Sequence, residues 1–115
     1  MGRVVELTPR QREILRRVVE EYVSTGEPVG SKTLVERSAM RVSSSTVRNE
    51  LAALEERGLL MHPHTSAGRI PTETGYRVFA DDLRYSEPVE YARWRARGLG
   101  SRLLELLAAP LADLM

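Results

Sequence analysis

The 115-residue chain contains no cysteine, which removes a disulfide framework, a zinc–thiolate site and a thiol nucleophile together, and fits a reducing cytoplasm. No run approaches the roughly 20 consecutive apolar residues of a membrane span. Met1 to Leu7 is too short and too charged to read as a signal peptide, so a cytoplasmic protein without a membrane partner is expected. An excess of one charge is also lacking. Seventeen Lys and Arg face sixteen Asp and Glu, a formal charge of +1, which argues against a histone-like coat for polyanions. Neither an internal repeat nor a low-complexity tract is present. With 42% hydrophobic residues the chain is too apolar for disorder and long enough for one small core plus a tail.

The richest stretch runs from Val42 to Gly58. Val47, Leu51 and Leu54 recur at i, i+4, i+7, the spacing of a buried helical stripe. The opposite side starts with small hydroxyls and carries Ser45, Arg48 and Asn49, groups suited to phosphates and base edges. Two short extended runs follow, Leu59 to His62 and Arg69 to Pro71, joined by Pro63-His64-Thr65-Ser66-Ala67-Gly68. A helix followed by a β-hairpin is the order of a winged helix-turn-helix.

The flanking segments agree. Thr8-Pro9-Arg10-Gln11 reads as a capped helix start, and Ile14, Leu15, Val18, Val19, Tyr22 and Val23 form an apolar face that ends near Gly26. Gly26 to Val29 reads as a turn into a brief extended segment, and a second, shorter helix runs from Gly30 or Ser31 to about Arg37. Thr72 or Thr74 can cap a fourth helix carrying Tyr76, Phe79 and Leu83. The predicted fold is therefore mainly α: a three-helix core with a β-hairpin wing over residues 7–85, preceded by an extension at 1–6. Ser86-Glu87-Pro88 marks a boundary, and 86–115 reads as a linker and helical tail. Trp94, Leu103, Leu107, Leu111 and Leu114 in that tail either pack on the domain or pair two protomers, the second being favoured.

Charge is unevenly spread. Between Lys32 and Asn49 lie four basic residues and one acid, whereas Glu50, Glu55 and Glu56 crowd the far end of the third helix; from Arg57 to Thr72 there is no acid. The positive potential should therefore sit at the start of the third helix and along the hairpin. Arg10, Arg12, Arg16 and Arg17, interspersed with Glu13, Glu20 and Glu21, read as a solvated helix face with i, i+4 pairs.

Several motifs resemble the N-terminal domain of the heat-inducible transcription repressor HrcA family: Leu7-Thr8-Pro9-Arg10-Gln11, Gly26-Glu27-Pro28-Val29-Gly30-Ser31-Lys32-Thr33-Leu34, Val42-Ser43-Ser44, Thr46-Val47-Arg48-Asn49, and Pro63 through Thr72. The resemblance covers roughly the first three quarters of the chain. It implies a winged-helix domain that binds, as a dimer, an inverted-repeat operator called CIRCE upstream of chaperone operons and represses them. It also implies a dependence on the chaperonin, and family members continue into a much larger dimerisation and effector region.

On this reading Ser43 and Ser44 cap the third helix, whose free N–H groups face a phosphate. Ser45, Thr46, Arg48 and Asn49 enter or border the major groove, where Arg suits guanine and Asn suits adenine; Arg48 is equally suited to phosphate. Lys32 and Arg41 meet phosphate. Arg69, expected to be exposed, reaches phosphate or the minor groove, with His64, Thr65 and Ser66 near the wing tip and Gly68 allowing the tip to turn tightly. No cofactor is called for. Gly26 to Thr33 departs from a phosphate-binding loop at Ser31, and His62 with His64 lacks a third ligand at fixed spacing. No nucleophile, base and orienter set emerges, so an enzyme is not expected. The alternative is a winged-helix protein-interaction module without direct DNA readout.

Overall fold

The computed structural model describes residues 6–37, 41–63 and 67–84, together with Gly98; the tail residues named above, the wing tip His64 to Ser66 and the boundary at Ser86 lie outside them. Helix α1 (Pro9–Thr25) starts at a reciprocal cap. Thr8 Oγ1 accepts from the Gln11 N–H at 3.1 Å, and Gln11 Oε1 accepts from the Thr8 N–H at 3.1 Å. Pro9 occupies a position where a missing N–H costs nothing. The helix stops at Gly26, whose φ of 74° lies in the left-handed region that glycine enters without a Cβ clash.

Helices α2 (Ser31–Arg37) and α3 (Ser44–Glu56) come next, then strands β1 (Leu60–Met61) and β2 (Ile70–Pro71), and finally α4 (Glu73–Arg84). The end of α3 is a sharp corner. Gly58 N–H donates to the Glu55 carbonyl at 2.9 Å and Leu59 N–H to the Leu54 carbonyl at 3.0 Å, with Gly58 at φ 80°. This pair of bonds satisfies carbonyls that a helix end would otherwise strand, and it turns the chain straight into the wing. Thr72, rather than Thr74, caps α4: its hydroxyl oxygen accepts from the Gly75 N–H at 3.0 Å and its hydroxyl donates to the Gly58 carbonyl at 2.6 Å.

The core is aliphatic with two aromatics at one edge. Ile14, Leu15, Val18 and Val19 of α1 meet Leu34, Val47, Leu51 and Leu54, while Leu59, Leu60, Tyr76, Phe79 and Leu83 close the other side. Each fully buried Val or Leu contributes about 1.5–3 kcal/mol, so the three core residues of α3 suffice to fix its rotation about its own axis. Burial, and secondarily the neighbouring Tyr22, push the Tyr76 phenol well above its ordinary value, so it stays neutral in the core.

The antiparallel hairpin pairs Leu60 with Pro71 and Met61 with Ile70, shorter than the two runs suggest. A third segment joins it. Val29, in the turn before α2, exchanges two hydrogen bonds with Arg69, each 2.8 Å, so the base of the wing is stitched to the entrance of the helix-turn-helix. Two glycines permit close backbone approaches. A Cβ on Gly68 would lie 2.9 Å from the Pro28 carbonyl carbon, and one on Gly75 would lie 2.1 Å from the Leu59 carbonyl oxygen. Gly68 therefore serves that contact with Pro28, not a tight turn at positive φ.

Candidate nucleic-acid interface

The N-terminus of α3 is organised by one side chain. Ser43 alone is the cap, accepting from the Thr46 N–H at 3.1 Å, while Ser44 is already the first helical residue. The Ser43 hydroxyl also lies 3.1 Å from that of Ser45 and 3.0 Å from that of Thr46, a connected hydroxyl patch around the free N–H groups of the first turn. Phosphate oxygens suit such an end, because the partial positive charge and the donors point the same way.

The rotation of α3 separates its two faces cleanly. Val47, Leu51 and Leu54 are at most 2% exposed, whereas Ser45, Arg48, Asn49, Ala52 and Glu56 face solvent. Ser44 and Thr46 sit between the faces, half-buried. Lys32 on α2 and Arg41 just ahead of α3 are exposed as well, and neither they nor Arg48 has a carboxylate partner among the described residues. The helix-turn-helix thus brings Lys32, Arg41, Ser43, Ser45, Arg48 and Asn49 to solvent on α2, α3 and the turn between them, and among the described residues no carboxylate pairs with its three cations.

Arg69 is placed differently from the sequence expectation. Its side chain is 17% exposed, its Nε lies 2.7 Å from Glu55 Oε1, and its Nη1 donates to the Ala67 carbonyl at 2.6 Å. A guanidinium at the stitched base of the wing has a carboxylate within reach on α3, and the pair forms at the cost of exposure. Glu55 also receives His62, whose Nδ1 is 2.8 Å from Oε2. A role for Glu55 is invisible in the sequence, since the contact depends on where the hairpin folds back. The same holds for α1: Arg17 pairs with Glu13 one turn away, as expected, but Arg12 and Arg16 reach Asp82 of α4 at 3.3 and 3.4 Å. That face is therefore partly an interhelical clamp, not a purely solvated surface. Among the described residues no group of three or more acidic or histidine side chains is arranged to hold a metal ion, and no helix is long and apolar enough to cross a membrane.

A short helix, a turn, a capped helix with a polar outer stripe, and a hairpin stitched beside it define a winged helix-turn-helix domain of the DNA-binding type. The protein family described as "Winged helix-turn-helix transcription repressor, HrcA DNA-binding" matches residues 6–83, so the chain belongs to the HrcA winged-helix family, one of regulators, not enzymes. Heat-inducible transcription repressor HrcA of Kocuria rhizophila is 59% identical over 88 residues, covering 76% of this chain and 26% of that protein. The proteins of the same name from Acidothermus cellulolyticus and Cutibacterium acnes are 56% and 53% identical over 90 residues, each covering 78% of this chain and 26% of theirs. A solved structure described as "Crystal structure of a hypothetical protein at 2.2 A resolution" is similar with a TM-score of 0.66 at 42% identity, covering 71% of this chain and 27% of that one. The chain spans about a quarter of the length of the curated relatives it matches.

Proposed function

We propose that this chain binds duplex DNA sequence-specifically through α3 and serves as the DNA-binding part of a cytoplasmic repressor of heat-shock genes. The observation that carries this reading is the phase of α3: three buried aliphatic residues aim Ser45, Arg48 and Asn49 outward, beside a cap that presents free N–H groups. In the proposed complex the first turn of α3, Ser43 with Ser44 and Thr46, docks on phosphate and sets register. Arg48 and Asn49 read base edges, and Lys32 and Arg41 neutralise phosphates on either side. Arg69, already paired, is not counted among the contacts.

The operator is taken to be the CIRCE inverted repeat ahead of chaperone genes. A repeat that presents the same half-site twice calls for a dimer with matching symmetry. A protein-interaction module would need an apolar outer stripe on α3; the outer face offers only Ala52 among polar and charged residues. Mobility shift with a duplex carrying the inverted repeat and one with the repeat scrambled, each at low and moderate salt, tests the proposal. Binding that is repeat-specific and weakens with salt supports it; no binding to either duplex at low salt refutes it.

A further inference from the structure

Glu55 uses both oxygens on the wing. Oε1 is 2.7 Å from Arg69 Nε and Oε2 is 2.8 Å from His62 Nδ1, so one carboxylate on the last turn of α3 holds a residue just past β1 and another just before β2. The Arg69 side chain is further committed by its bond to the Ala67 carbonyl, and its backbone by the two bonds to Val29. Lys32, Arg41 and Arg48 have no such partner among the described residues. Glu55 already neutralises Arg69, so a phosphate that took the charge of the guanidinium would leave that carboxylate unpaired, exchanging one anion for another. That exchange releases no more counterions than it strands, so it adds nothing to affinity.

Building on the DNA-binding reading, we propose that Glu55 is a specificity-determining residue that acts through Arg69: it withholds the guanidinium of the wing base from phosphate. Discrimination then rests on α3, because the wing base contributes no sequence-independent attraction. Removing the negative charge while keeping the shape, as in Glu55→Gln, frees Arg69 to take a phosphate on any sequence.

The test measures binding against salt for the wild-type chain and for Glu55→Gln, Arg69→Gln and the double variant, on duplexes with the inverted repeat and with the repeat scrambled. The slope of log K against log salt is expected to be the same for wild type and Arg69→Gln. For Glu55→Gln it should be steeper by about 0.9, the value for one added phosphate contact. Affinity for the scrambled duplex should rise several-fold in that variant and the specificity ratio should fall. The double variant should return both quantities to the wild-type values. An unchanged slope for Glu55→Gln overturns the inference. So does a shallower slope for Arg69→Gln, which needs no altered carboxylate and decides the matter should Glu55→Gln not fold. Failure of the wild-type chain to bind either duplex would remove the DNA-binding reading and this inference with it; differences confined to the variants touch this inference alone.

Discussion

Basic residues on two sides of the domain are treated oppositely. On the α1–α4 side, Arg12 and Arg16 share Asp82, Arg17 meets Glu13 and Arg77 meets Glu73. On α2 and the start of α3, Lys32, Arg41 and Arg48 stand exposed without a carboxylate among the described residues. Net charge is nearly zero because acids match cations in number, not because cations are absent, and on this side the acids stand beside the cations. A protein needs no global positive charge to hold a polyanion when its acids are spent on one side. The wing base belongs with the neutralised side, through Glu55 and Arg69.

That contrast can be broken most severely from underneath. Val47→Asp places an unpaired charge where the side chain is fully buried, a cost of about 3–5 kcal/mol, so the exposed stripe of α3 should lose its support and cooperative melting should vanish. A variant that melted cooperatively and still bound DNA would show that the phase of the helix does not matter. Gly75→Ala should come next. Its new methyl meets a backbone carbonyl that cannot move aside cheaply, and a loss of about 3 kcal/mol in chemical denaturation is expected.

Arg48→Ala and Asn49→Ala address the uncompensated side directly. Each should weaken operator binding by about 1–3 kcal/mol in titrations while leaving the melting temperature where it was, because both side chains are exposed. Lys32→Ala should reduce the salt slope by about 0.9 with equal effect on all duplexes. The smallest effect belongs to the clamp: Asp82→Asn should cost less than about 1 kcal/mol of stability. It should leave DNA binding untouched; a change in affinity there would mean that the two sides are not separate.

Much of this is legible in the sequence. The cap at Thr8, the stripe of Val47, Leu51 and Leu54, and the outward Ser45, Arg48 and Asn49 follow from local periodicity, and each holds in the fold. Contacts between segments far apart in sequence are not legible in the same way. Arg69 reads as free because nothing in the order of residues hints at Glu55 across the corner. Arg12 and Arg16 read as solvated because Asp82 lies on the last helix. Nothing in the sequence singles out Gly75, although its missing side chain is what lets α4 sit against Leu59. Local patterns set the faces of helices; the partners of long charged side chains depend on packing that only the folded chain defines.

The Val29 and Arg69 bridge has a kinetic meaning. Its two amides belong to segments separated in the chain by α2, α3 and β1, and such non-local pairings are late and slow to form. Neither amide can be protected without the other, so in hydrogen exchange they should open as one unit, and the turn that launches the helix pair should unlock whenever the wing does.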